Sequence, residues 1–127
     1  MSDFEKEILK TSKKYQKKNE LLNLYIEYDI KTMSKDIKKY FDKYKENKEN
    51  SKYNEDLAMW NKKFCKKIIK ITEKLTLDEA TFLTNYYISG KRERDIKEIM
   101  GINKDVLDKI KESCLIKTWY SLNSFNN

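Results

Sequence analysis

The sequence contains no proline and only two glycines, Gly90 and Gly101. Because these two residue types are the usual interruptions of helices, the chain can form long helical segments with few breaks. It is also 39% hydrophobic and 13% aromatic, which is too apolar for an intrinsically disordered polypeptide. We therefore expect an all-α fold, a helical bundle of one domain or of one domain with a helical extension.

Histidine is absent altogether, which excludes histidine-based catalysis and histidine metal ligands. The two cysteines, Cys65 and Cys114, have no metal-type spacing, and each lies on or beside an apolar helix face, as a small core residue does. No nucleophile arrangement, phosphate-binding loop or glycine-rich nucleotide loop is visible. We expect a protein that is not an enzyme and that binds no metal and no cofactor.

The chain also lacks an apolar run long enough to cross a bilayer and an N-terminal signal sequence, so we expect no membrane partner and a cytoplasmic location. What it has instead is a net charge of +7. This charge suits a polyanionic partner, although a general bias toward lysine would produce it too. The placement of the lysines therefore matters more than their number.

The clearest helix lies between residues 57 and 75, where apolar side chains recur at three-four spacing. These side chains are Leu57, Trp60, Phe64, Ile68, Ile71 and Leu75. The opposite side carries Lys62, Lys63, Lys66, Lys67 and Lys70, with no acidic residue among them. Such a run is usually a solvated helix face, but five lysines exceed what solubility requires, so contacts with phosphate groups are a second interpretation.

Upstream of this helix, residues 3–30 fit one long helix or two short ones, and Ser34 is placed to cap a second helix. Residues 45–54 have no apolar periodicity and fit a linker or a frayed helix end. We place a boundary there. Residues 1–52 would form an N-terminal helical extension that dimerises the protein, and residues 53–127 would form a helix-turn-helix DNA-binding domain.

Thr76 and Glu79 have the spacing of a capping box at the start of a further helix, which ends at residues 88–90. After it, residues 91–117 have the pattern of a helix-turn-helix. Gly101 can adopt a left-handed conformation between the two helices, and Asn103 is placed to cap the second one. The buried positions that such a unit needs are Ile96, Met100, Ile102, Leu107 and Ile110.

From about Phe64 to Leu122 the order of features resembles the C-terminal part of ArpU-type phage transcriptional regulators and, more loosely, region 4 of sigma factors. The shared features are a leucine-led helix in LTLDEATFLTNYYISGK, an aromatic YY-I ending, and an I-x-x-x-x-G-I helix and turn before a lysine-rich recognition helix. The resemblance implies a phage or prophage regulator that binds DNA. It covers just under half of the chain.

The resemblance also implies a set of binding residues. Asn103, Lys104, Asp105, Asp108 and Lys109 would face the major groove, and Arg92 and Arg94 would lie near the DNA backbone. With the lysines at 62–70 as further phosphate contacts, we expect a sequence-specific transcriptional regulator, a homodimer bound to double-stranded DNA. Two features depart from this pattern. Lys97 replaces a small residue where the helices cross, and Asp105, Asp108 and Glu112 place negative charge on the recognition helix.

These departures keep two alternatives open. The first is a small phage-type protein-binding module that inhibits or modulates a host nucleic-acid enzyme, such as RNA polymerase or a nuclease. The acidic residues and the nine tyrosines, which suit contact surfaces, favour it. The second is a virion or packaging component that binds nucleic acid without sequence preference.

Overall fold

The structure, a computed structural model, describes residues 2–15 and 29–123. Across these two ranges it contains six α-helices and no β-strand, so the prediction of an all-α fold is confirmed. The helices are α1 (Asp3–Tyr15), α2 (Ile30–Asn50), α3 (Glu55–Ile71), α4 (Leu77–Leu83), α5 (Glu93–Met100) and α6 (Lys104–Asn123). None of the helices in the described ranges is long and apolar enough to cross a membrane.

The prediction for residues 3–30 can be compared with the structure only in part. α1 begins after a capping box in which the Glu5 amide donates to Ser2 Oγ over 3.1 Å. Farther along α1, the buried Ser12 hydroxyl donates to the Leu75 carbonyl oxygen over 2.9 Å. This bond connects α1 to the segment between α3 and α4. Residues 16–28 of this predicted stretch lie outside the described residues, and Ile30 at its end is the first residue of α2.

The start and the end of α2 both differ from the prediction. Its N-cap is Asp29, whose carboxylate accepts a hydrogen bond from the Thr32 amide over 2.7 Å, so the assignment of that role to Ser34 was wrong. Ser34 lies inside the helix, 2.6 Å from the Tyr87 hydroxyl. At the other end, α2 continues to Asn50, so residues 45–50 are helical rather than a linker, and Asn47 within them is buried.

One apolar core joins all six helices in the described part of the chain. Ile8 of α1 and Phe41 of α2 belong to the same cluster as Ile96 of α5 and Leu115 of α6. The boundary predicted at residues 45–54 therefore does not separate two cores. The dimerising role of residues 1–52 stays a prediction.

Aromatic rings fill the centre of this core. The Phe41 ring packs edge-on against Phe64 at a centroid distance of 5.1 Å and stacks on Tyr87 at 5.5 Å. The predicted apolar stripe of α3 is confirmed, since Phe64, Ile68 and Ile71 are buried. α2 and α6 are also joined at their partly exposed edge, where the Trp119 indole N–H donates to Asp36 over 2.9 Å.

The capping box predicted at the start of α4 is confirmed. The Glu79 amide donates to Thr76 Oγ1 over 3.1 Å, and the Thr76 amide donates to Glu79 Oε1 over 2.8 Å. The prediction for the cysteines is confirmed for Cys114, which is fully buried and donates its thiol proton toward the Glu79 carbonyl oxygen. Cys65 is half-buried against the same core.

Candidate nucleic-acid interface

The junction between α5 and α6 is a tight turn of three residues. Gly101 has φ 65° and ψ 40°, the left-handed conformation that glycine adopts without a steric penalty. The Gly101 amide donates to the Glu98 carbonyl over 3.3 Å, and the Ile102 amide donates to the Lys97 carbonyl over 3.1 Å. This pair of bonds is the Schellman ending of a helix, and it confirms the turn predicted at Gly101.

The start of α6 is fixed by its own cap and by apolar anchors. Asn103 Oδ1 accepts a hydrogen bond from the Val106 amide over 2.9 Å, so the predicted cap is confirmed. Ile96 of α5 and Leu107 of α6 are fully buried, and Ile102 in the turn packs partly buried against the core. The position of the first turns of α6 against the core is therefore set by packing.

The residues predicted to face a DNA groove lie at this end of α6 and point away from the core. All five, Asn103, Lys104, Asp105, Asp108 and Lys109, are exposed. Their charges are mixed, because Lys104 and Lys109 share the exposed face with Asp105, Asp108 and the exposed Glu112. The face is therefore open to a ligand but is not basic by itself.

Two exposed apolar side chains accompany these charges. Ile99 of α5 is 53% exposed, and Val106 of α6 is 41% exposed. Both side chains are available for contact with a partner, one from each helix of the α5–turn–α6 unit. Lys97, predicted to crowd the place where the helices cross, is half-buried.

Two of the predicted phosphate contacts on α3 lie far from the start of α6. Lys62, Lys63, Lys66, Lys67 and Lys70 are all exposed. However, Lys63 and Lys67 line a small cavity together with Leu122, at the far end of α6. Since an α-helix rises 1.5 Å per residue, Leu122 lies about 27 Å along the axis from Lys104. The structure therefore does not bring these two lysines to the residues predicted to face the groove.

The two arginines predicted to lie near a DNA backbone are exposed at the start of α5. Arg92 precedes the helix, and its Nε lies 3.3 Å from an Asp95 carboxylate oxygen. Arg92 also lines an open cavity of about 420 Å³ on the side that faces α2. The basic side chains around this cavity are Lys38, Lys45, Lys91 and Arg92.

Beside this cavity lies a second one of about 470 Å³, which shares Lys38 and Tyr86 with it. Its charged side chains are all lysines, and they come from two helices. They are Lys31, Lys35 and Lys38 of α2 and Lys111 of α6. We call the two adjoining cavities together the α2 groove.

Sequence reasoning missed the α2 groove. The only signal was the spacing of Lys31, Lys35 and Lys38, which places three lysines on one side of a helix. That spacing does not reveal that Lys111 and Arg92, far along the chain, border the same space. The described residues contain no group of three or more histidine, cysteine or acidic side chains that could hold a metal ion.

Compared with known proteins, the chain matches no family model, and no curated protein and no solved structure is significantly similar to it.

Proposed function

We propose that this protein is a sequence-specific DNA-binding transcriptional regulator whose α5–turn–α6 unit acts as a helix-turn-helix. One observation carries the proposal. The outer side of the first two turns of α6 exposes Asn103, Lys104 and Lys109, while buried Leu107 holds the helix against the core from behind. An α-helix fits the major groove of duplex DNA, and in such a unit its N-terminal residues contact the base edges.

Because this face carries both positive and negative side chains, its residues would make different kinds of contact with DNA. Lys104 and Asn103 can donate to base edges, while Asp105 and Asp108 can accept a hydrogen bond from the amino group of cytosine. Carboxylates near phosphates lower affinity, so they contribute discrimination between bases rather than strength. The strength must come from basic side chains elsewhere on the molecule, and a dimer would double the number of bases contacted.

Binding of a short operator library to the Lys104→Ala variant tests the proposal. We expect a relaxed preference at one base position and a loss of roughly 1–3 kcal/mol on the preferred site if the lysine contact is bidentate. Lys66→Ala removes the same side chain from the exposed face of α3 and is the matched control, with the base preference unchanged. Wild-type protein that binds no duplex at low salt, or whose preference Lys104→Ala leaves intact, would refute the proposal.

A second function is favoured by the exposed Ile99 and Val106 together with the three carboxylates on α6. In this case the same face binds a protein, and the chain modulates a host nucleic-acid enzyme. Aliphatic contacts ringed by charge are typical of protein–protein interfaces. The two functions separate in one pair of variants. If the face binds a protein, Val106→Ser would weaken capture of that partner, and Lys104→Ala would leave it largely unchanged. If the face binds DNA, Lys104→Ala would lower duplex affinity and relax the base preference, and Val106→Ser would leave duplex affinity largely unchanged.

A further inference from the structure

We propose that the α2 groove holds a stretch of the sugar–phosphate backbone of a nucleic acid duplex. The inference rests on the proposed DNA-binding function and assigns the phosphate contacts to α2 instead of α3. It is carried by the charge, the length and the position of the groove, and none of these depends on the base contacts of α6.

The charge of the groove is strongly one-sided. Seven basic side chains line its two cavities, against the two carboxylates of Asp42 and Glu93. Each carboxylate is engaged by one of the seven, since Lys38 lies 2.7 Å from Asp42 and Lys111 lies 3.1 Å from Glu93. The remaining basic residues of the groove are Lys31, Lys35, Lys45, Lys91 and Arg92.

Most of these remaining side chains have no carboxylate partner of their own. Lys31, Lys35, Lys45 and Lys91 make no ion pair within the described part of the chain. All four are exposed, so each can reach a phosphate group and displace the cation condensed on it, at little cost in packing. Release of counterions is the main source of the free energy with which proteins bind nucleic acid backbones.

The length of the groove matches a run of phosphates. From Lys31 to Lys45 the helix rises about 21 Å. One strand of duplex DNA advances about 3.4 Å per nucleotide along its axis, so this distance corresponds to about six nucleotides. A linear array of cations at this scale suits a polymer of regularly spaced charges better than a single small anion.

The groove lies beside the helix proposed to enter the major groove. Lys111, which borders it, follows Lys104 by seven residues, nearly two full turns, and so lies on the same side of α6 about 10 Å along. Lys31 and Lys35 lie near Lys111, while Asp36 bonds Trp119 farther along α6. The α2 lysines therefore flank the part of α6 that leads to its exposed first turns.

The segment that leads into α5 contributes further positive charge to the groove. Gly90 has φ 69°, a left-handed conformation, and Lys91 and Arg92 after it border the groove opposite α2. Arg92 makes no side-chain cap for α5, so the first amides of that helix have no side-chain acceptor. The first turn of α5 also carries the carboxylates of Glu93 and Asp95, so the positive charge of this segment comes from the Lys91 and Arg92 side chains rather than from the helix end. Tyr86, stacked on Phe82 at 5.2 Å, gives the groove a fixed wall.

The test compares two charge-reversed variants that match in number, residue type and spacing. The first is Lys31→Glu/Lys35→Glu in the groove, and the control is Lys62→Glu/Lys66→Glu on α3. All four lysines are exposed and four residues apart within each pair, so both variants change the net charge equally. The acidic replacements in α2 lie near its N-terminus, where negative charge is favourable, and folding should therefore be kept.

Duplex affinity is measured by fluorescence anisotropy over a salt series from about 50 to 200 mM, with circular dichroism and thermal unfolding as the folding check. We expect the α2 variant to lose roughly tenfold or more in affinity. The plot of log affinity against log salt concentration should also become less steep by the equivalent of about two phosphate contacts, each of which contributes about 0.9 to the slope. Lys31→Gln/Lys35→Gln, which only removes charge, should show a smaller loss in the same direction. The α3 variant should keep the wild-type slope.

The outcomes distinguish this inference from the function on which it rests. Wild-type protein that fails to bind any duplex at the lowest salt refutes the DNA-binding function and the inference together. Wild-type binding that both charge-reversed variants weaken equally, or that only the α3 variant weakens, leaves DNA binding in place and overturns the role of the α2 groove.

Discussion

Lys117 Nζ lies 2.8 Å from Glu79 Oε1, and both side chains are almost completely buried, at 2% and 4% exposure. The same carboxylate oxygen accepts the hydrogen bond from the Thr76 amide that begins α4. One buried ion pair thus connects the cap of α4 to the middle of α6, the helix that carries the candidate interface. Such a pair is costly to desolvate, so its value depends on both partners being present.

We expect Lys117→Met to lower the free energy of unfolding by about 3–5 kcal/mol, because it leaves the Glu79 carboxylate buried without its partner. Methionine fills a similar space, so packing contributes little to the loss. Urea unfolding followed by circular dichroism measures it. The double variant Glu79→Gln/Lys117→Met removes both charges and should recover most of the stability. If the double variant were no more stable than Lys117→Met, the loss would come from packing instead.

Gly101→Ala should lower the free energy of unfolding by roughly 1–2 kcal/mol, the cost of a left-handed conformation at a residue with a Cβ atom. Apart from Gly101 itself and its two neighbours in the chain, no residue has an atom within 4 Å of the position that this Cβ would occupy, so the cost is one of backbone conformation. Gly101→Asn is the matched control and should lose less, since asparagine tolerates this region. Equal losses in thermal unfolding would contradict this account of the turn.

Alkaline unfolding should depend on Tyr44. Burial of its ring, with Cys65 nearby, raises the pKa of the hydroxyl from about 10 to about 12. In the folded chain the neutral phenol is therefore favoured over the ionised form more strongly than in the unfolded chain. This stabilisation is complete below about pH 10 and is lost as the pH rises through about 12.

The variant Tyr44→Phe should consequently lose less stability between these two pH values than the wild type, as measured by urea midpoints over a pH series. Tyr120→Phe is the control, because this ring is 44% exposed and the variant removes the same hydroxyl group from the surface. A Tyr44→Phe profile that parallels the wild-type profile at high pH would show that burial does not hold this phenol neutral.

The two thiols should differ in reactivity. Burial raises the pKa of the Cys65 thiol, against a smaller lowering by Tyr44 and Lys48, and burial raises that of the fully buried Cys114 thiol far above its ordinary range. Since the thiolate is the reactive form, a maleimide reagent at neutral pH should modify Cys65 slowly and Cys114 only after unfolding. Mass spectrometry of the labelled peptides measures both rates. Rapid labelling of Cys114 in the folded protein would contradict its placement.

The parts of the fold that the sequence predicted are those set by neighbouring residues. The stripe from Phe64 to Ile71, the capping box at Thr76 and the glycine turn each depend on spacing within a few positions. The burial of Lys117 could not be predicted in this way. Its local surroundings favour a surface lysine, and only the approach of Glu79, 38 residues away along the chain, makes its burial favourable.

In the candidate site, too, the local sequence predicts some features and not those that depend on packing between distant segments. Exposure of Asn103, Lys104 and Lys109 agrees with the helical pattern around Leu107, whereas their choice as groove-facing residues came from the family resemblance. The α2 groove was not predicted, because its lysines become one site only when α2 packs beside α6. The end of α2 was also misjudged. Its last turns are polar in sequence, and only the burial of Tyr44 and Asn47 shows why they stay helical.

The hydrogen bond between the Trp119 indole and Asp36 gives the molecule a natural optical probe. Trp119 is one of only two tryptophans in the chain, and it lies on the seam along which α2 meets α6. Indole fluorescence is sensitive to the loss of a charged neighbour. A movement of one helix along the other that breaks this bond would therefore change the emission wavelength or the intensity of the fluorescence. The seam can thus be followed in solution without attaching a dye.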